Sequence, residues 1–220
     1  MFTTLRAKTV SLFALLAVLA LIGVGASRTF AQDTAATPAT PARPAITISA
    51  EDAIAQLTAD DGTLRFDVAE DFTRFNFAGA PVFDDGMPAY GNPFITQGYI
   101  YPEGTLNGSN GTLPDGSPEF PELVLGEWTC RGWFVGDGAH STTGPVVITT
   151  QVYSFGGEPG AATLITDGYE LVDVDVAVGR AITGGTGPYA GARGGASQTL
   201  LGFTEQMAVN LRFALPVDQG

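Results

Sequence analysis

The groups through which this chain of 220 residues could do chemistry are carboxylates, tyrosines and arginines, because lysine, histidine and cysteine are nearly absent. Lys8 is its one lysine, His140 its one histidine and Cys130 its one cysteine. With no lysine beyond the N-terminal leader, Schiff-base chemistry and an ammonium grip on phosphate are excluded. His140 sits in a Gly/Asp/Ser loop, and a catalytic triad or His-rich metal site needs partners that this pattern does not supply. A lone cysteine forms neither an intramolecular disulfide nor a zinc cluster, and Cys130, between Trp128 and Trp133, reads as a buried, inert thiol. The Asp/Asn/Gly loops lack EF-hand spacing. No metal and no cofactor is expected.

Four groups of residues remain. Asp84 and Asp85 precede Gly86 and Pro88. They are either an acidic turn with solvated or backbone-bonded carboxylates, or carboxylates at a pocket mouth, raised by burial so that they exchange protons near neutrality. Arg193, on a Gly-flanked strand, is a clamp on a neighbouring carboxylate or carbonyl, or a ligand contact. Tyr99, Tyr101 and Tyr153 either line a pocket and offer hydroxyls to an oxygenated ligand, or fill a core. Gln97 shares a strand face with Tyr99 and Tyr101.

The elements that must position these groups read as strands. The stretch 181–195 is too rich in glycine for a helix and too patterned for a linker. Ala181 to Thr183 ends a strand, Gly184 to Pro188 forms a tight turn, and a second extended segment runs from Tyr189. A phosphate loop would need a helix opening directly behind Gly185-Thr186-Gly187, and Pro188, Gly191, Gly194 and Gly195 oppose one. From Thr63 the apolar period is two, with strands expected around 64–68, 75–77, 94–101, 123–135, 146–155, 161–169 and 209–215. The cleanest alternation, Val172, Val174, Val176 and Val178, predicts another. Residues 106–121 form a long loop. About eight short strands without a long helix predict an all-β barrel or sandwich, and Gly98, Gly132, Gly179, Gly191 and Gly194 would let strands bend into closure.

Residues 1–31 have the plan of a secretory signal: Arg6 and Lys8, then an apolar run from Leu12 to Gly25, then Thr29-Phe30-Ala31 before Gln32. Residues 32–62 form a Pro/Ala/Thr spacer in which Ser49, ahead of Glu51 and Asp52, could cap a short helix. The barrel domain is expected over 63–220. The net charge is −13; without the leader's three bases, seven bases face 23 acids, a net −16. So acidic a surface excludes nucleic acid and, after signal cleavage, anionic membrane as partners. A secreted or periplasmic-equivalent location is expected.

Gly184-Gly185-Thr186-Gly187, Tyr189 and Gly191-Ala192-Arg193-Gly194 resemble a motif of the allene oxide cyclase and dirigent barrel superfamily. Val82-Phe83-Asp84-Asp85 with the later Gln97-Gly98-Tyr99 resembles a dirigent segment, and Val152-Tyr153-Ser154-Phe155 resembles a cyclase strand. The resemblance implies an eight-stranded antiparallel β-barrel, commonly a homotrimer, with a largely apolar, lipocalin-like pocket. It also implies a small hydrophobic or phenolic ligand whose stereoselective cyclisation or coupling the protein guides, as an isomerase would. By position, Asp84 and Asp85 match the dirigent acidic pair, Arg193 the arginine after the turn, and Tyr153 a cyclase pocket tyrosine. The expected catalytic residues are therefore Asp85, Tyr153 and Arg193, with Asp84, Gln97, Tyr99 and Tyr101 binding ligand. The chain departs from the pattern at Pro188, where dirigent proteins often have aspartate, and in the inserted loop 106–121. A non-catalytic extracellular module on the same barrel is the alternative.

Overall fold

The computed structural model describes residues 45–216; the expected signal segment, and the spacer up to residue 44, lie outside the described residues. The first element among the described residues is α1 (Ala50–Leu57), and its start is written in the sequence. The Ser49 hydroxyl accepts the Asp52 N–H at 3.1 Å, while Glu51 and Asp52 place negative charge against the free amides of the first turn. Eight residues make a marginal helix in isolation. It persists because Ala53 and Leu57 are buried against strand residues of the barrel core.

The strands follow as β1 (Thr63–Glu70), β2 (Asn76–Phe77), β3 (Pro93–Pro102), β4 (Gly126–Phe134), β5 (Pro145–Phe155), β6 (Thr163–Leu171), β7 (Ala177–Thr186), β8 (Gly194–Phe203) and β9 (Val209–Pro216). Their order around the sheet is β1-β9-β8-β7-β6-β5-β4-β3, all antiparallel, and a β1–β3 pairing closes the ring. The fold is therefore a closed eight-stranded barrel, with β2 an extra short strand on β3. Closure leaves no long edge exposed. At the seam the walls approach so closely that a Cβ on Gly98 would collide with the Ala69 carbonyl, which is why glycine stands there.

Alternation then sorts side chains. Leu64, Phe66 and Val68 of β1, Trp128 and Cys130 of β4, Tyr153 and Phe155 of β5 and Leu211, Phe213 and Leu215 of β9 join one interior core. Ala69, Tyr99 and Tyr101, of the opposite phase, are buried on the outside under residues 103–120. Asp67 pins that covering loop: its carboxylate accepts the N–H groups of Gly104 (2.8 Å) and Leu106 (3.0 Å) and binds Arg212 at 2.7 and 3.0 Å.

Two sequence expectations differ locally. Residues 172–176 connect β6 to β7 rather than forming a strand: Asp175 has φ 61°, and Val174 and Val176 are exposed. A period of two defines a buried face only where a neighbouring strand lies alongside, and here the chain is turning. In the glycine-rich stretch, β7 runs through to Thr186 and the turn comes later, as a 3₁₀ turn at Gly187–Tyr189, with β8 resuming at Gly194. Gly187 adopts φ 59° under the Ala161 carbonyl, a place where a side chain has no room.

Candidate functional site

Polar residues placed in the inward phase of five successive strands, β4 to β8, meet inside the barrel. β5 supplies Thr149, Gln151 and Tyr153; β6 supplies Thr166 and Glu170; β7 supplies Arg180, β8 Gln198 and β4 Trp128 and Cys130. The Gln151 side-chain oxygen accepts from Trp128 Nε1 (3.1 Å) and from the Tyr153 hydroxyl (2.6 Å). Its nitrogen donates to Glu170 (2.8 Å) and to the Gln198 oxygen (3.0 Å), and Gln198 in turn donates to the second Glu170 oxygen (3.1 Å). Thr149 donates to Glu170 at 2.6 Å. Arg180 donates from Nη2 to the Thr149 hydroxyl (2.9 Å) and from Nε to the Thr166 hydroxyl (3.1 Å).

Charge is thus placed deep in the protein. The Arg180 side chain is fully buried and its Nη1 lies 3.9 Å from Glu170, so the pair is coupled mainly through the shared Thr149 hydroxyl. Desolvating two ions costs more than their attraction returns unless their remaining donors and acceptors are satisfied. Here four donors surround Glu170, the Cys130 thiol at 3.5 Å being the weakest. Burial, then the Glu170 charge, pushes that thiol well above its ordinary range, so Cys130 is inert. The Tyr153 hydroxyl is likewise pushed up by burial and acts as a donor.

Glu70, at the end of β1, is the contrasting carboxylate. It is buried and accepts the Val209 N–H at 2.9 Å. Burial, with a smaller push from Glu170 and Asp71, raises it from 4.5 to about 7 against the pull of its hydrogen bonds. The barrel interior therefore holds one carboxylate cradled by donors and a second whose hold on its proton is strengthened by burial.

The interior is unevenly closed. At the α1 end Phe155, Phe213 and Leu215 are 0% exposed, whereas at the other end Glu170, Val147, Phe134 and Phe94 are 7–9% exposed. That end, toward which the polar network lies, is the less completely buried of the two and is here termed the mouth end. The surface hollows beside α1, lined by Ile46, Ile48 and Val124 and by Ile54, Pro188 and Tyr189, lie at the sealed end.

Of the residues singled out from sequence, Tyr153 stands in this network. Asp84 and Asp85 are exposed on the loop after β2; Asp85 binds His140 Nε2 at 2.9 Å and accepts the Met87 N–H, which holds its carboxyl below the ordinary range. Arg193 is exposed at the start of β8, donating to the neighbouring Ala192 carbonyl. Asp85 and Arg193 thus belong to opposite ends of the barrel, and the structure does not bring them together with Tyr153. Gln97 is on the outer wall, donating to Glu127 and Thr129, and Tyr99 and Tyr101 donate outward to the carbonyls of Gly116 and Gly111. Glu70, Glu170, Arg180, Gln151 and Gln198 do not stand out in the sequence. Their signal is phase: each falls in the apolar register of its strand, Gln151 between Val147 and Phe155 and Arg180 two before Ile182.

No family model matches the chain, and no curated protein matches it. Solved structures similar to it include a pyocyanin demethylase, 14% identical, with a TM-score of 0.45 over 71% of this chain and 99% of that one. The pterocarpan synthase dirigent protein PsPTS1 is 16% identical with a TM-score of 0.48 over 70% and 91%. The pterocarpan synthase dirigent protein GePTS1 is 15% identical with a TM-score of 0.47 over 70% and 84%. These are likenesses of fold. The eight-stranded antiparallel barrel implied by the sequence motif is the one observed.

Proposed function

We propose that the barrel is a receptacle for one small, largely apolar molecule carrying an oxygen function, phenolic or lipid-derived, and that it guides the cyclisation or coupling of that molecule. The observation that carries this reading is the buried polar network of Glu170, Arg180, Gln151, Gln198 and Tyr153, set in an aromatic interior on the side of the accessible end. A ligand entering there meets apolar walls for its body and amide, hydroxyl and carboxylate groups for its oxygen. Glu70, near its own midpoint at neutral pH, supplies proton exchange beside them. Export through a leader at 1–31 and assembly as a trimer belong to the same proposal.

A second reading, a non-catalytic extracellular module, draws on the sealed half of the barrel, where Phe66, Tyr153, Phe155 and Phe213 fill the volume ring against ring. One titration separates the two. Trp128 is inside, hydrogen-bonded to Gln151, and Trp133 is 55% exposed. In a Trp133→Phe protein the fluorescence of Trp128 reports the interior alone. Saturable quenching by a member of a phenolic and unsaturated fatty-acid panel, weakened by Gln198→Ala, is the expected result. No saturable change with any member would leave the module reading.

A further inference from the structure

A chain of phenylalanine rings runs from the surface into the mouth. After β1 the backbone makes a 3₁₀ turn, Phe72–Arg74, before β2, and this segment straddles the rim of the barrel. On the outer side it is clamped. Arg74 Nε donates to Asp71 at 2.6 Å, its Nη1 donates to Glu127 at 2.9 Å, and its guanidinium lies 5.2 Å over the Tyr99 ring. Asp71 also caps the turn, accepting the Thr73 N–H at 3.0 Å. On the inner side the next residue, Phe75, places its ring 5.6 Å from Phe94, and Phe94 lies 5.2 Å from Phe134. Both of those rings belong to the interior core. Outward, Phe75 lies 6.4 Å from Phe72, parallel to within 7°, and 5.9 Å from Phe77. Phe72 and Phe77 are 48% and 36% exposed.

Phe155 and Phe213, at the centre of the core, are buried on all sides. Phe75 instead has the barrel interior on one face and half-exposed rings on the other. The strand that carries it onward, β2, is two residues long, so little ladder holding opposes its displacement. The clamp lies on the outer wall, on the residue before Phe75, so it holds the turn from which the Phe75 ring swings.

We propose that Phe75 is the gate of the barrel: the ligand passes between Phe75 and the Phe94–Phe134 pair, and the hold of Arg74 on Asp71 and Glu127 sets how often the gate opens. This rests on the interior being the ligand site. A gate closed in the resting state slows entry and exit alike, so its removal changes rates more than affinity.

The test is stopped-flow mixing of the full-length Trp133→Phe protein, with 4-propylphenol and linoleic acid as probes and Trp128 as reporter. Phe75→Ala is expected to raise both the association and the dissociation rate about tenfold, with Kd nearly unchanged. Arg74→Gln is expected to move both rates in the same direction by a smaller factor. Phe72→Ala, at a half-exposed position, does the same and serves if Phe75→Ala does not fold. Association rates equal to the parent's in these variants overturn the gate, even if dissociation quickens, because that pattern marks a contact and not a barrier. No quenching by either probe or by the wider panel removes the receptacle reading and the gate with it, whereas quenching with unchanged rates removes the gate alone.

Discussion

The two halves of the barrel interior are built from the same strands and held by different physics. Toward α1, Phe66 sits 5.2 Å from Tyr153 and 5.3 Å from Phe213, and α1 seals the end with Ala53 and Leu57. Toward the mouth, the same β5 presents Thr149 and Gln151 to Glu170 and Arg180. The ring half gains from area removed from water and from shape, a return that needs no particular partner atom. The polar half must satisfy each donor and acceptor, and well-packed apolar side chains of similar volume would serve stability as well or better. A protein that needed only a stable barrel would extend the ring packing to both ends. The polar half is therefore where function is to be sought.

The largest expected effects test that contrast directly. Arg180→Met should destabilise by about 3–5 kcal/mol in urea denaturation, because Glu170 is left buried without its cation. Adding Glu170→Gln to it should recover much of the loss. Phe213→Ala should cost a similar 3–5 kcal/mol or so through the cavity it leaves, and no second polar-to-neutral change should rescue it. A rescue there, or none in the polar half, would erase the distinction.

Glu70 gives the next effect, through pH. Its folded value near 7 lies above the ordinary 4.5, so the folded protein keeps a proton that the unfolded chain has already released. Stability tied to this group is present below pH 4.5, declines as pH rises to about 7, and is flat above. The total is about 3 kcal/mol on this shift. The difference between parent and Glu70→Gln, measured from pH 4.5 to 8, isolates it. A pH-independent difference would mean that Glu70 does not titrate in this range.

Smaller effects belong to the outside. Ser49→Ala should lower stability by about 1 kcal/mol by uncapping α1, while leaving Trp128 quenching by mouth-side ligands intact. Asp85→Asn should leave both the melting temperature and the quenching at parent values, since the Asp85–His140 pair is solvent-exposed. A clear loss of binding in Asp85→Asn would move the site from the interior to the loop after β2.

Local signals were legible wherever local physics fixes the answer. Ser49 with Asp52 announced α1, and strict alternation at Leu64-Phe66-Val68 and at Val209-Leu211-Phe213 announced real strands. The alternation of valines misled over 172–176, though Val178 does lie in β7, because nothing in a sequence says whether a partner strand lies beside it. The same limit governed the site. Acidic Asp84-Asp85 and glycine-flanked Arg193 are conspicuous in the sequence because turn residues and glycines surround them, yet they face water. Glu170 and Arg180 fall in the inward phase of their strands, and their meaning depends on one another.

The sequence by itself determined the chemical inventory, the strand period, the cap of α1 and the glycines that make a closed barrel feasible, because composition and neighbouring residues decide these. Only the tertiary structure decided that Glu170, from β6, and Arg180, from β7, meet Gln151 and Gln198 in one buried network while Tyr99 and Tyr101 turn outward. The reason is register: a shift of one residue in strand pairing exchanges the inside of a barrel for its outside. That choice is made by contacts between strands that are distant along the chain.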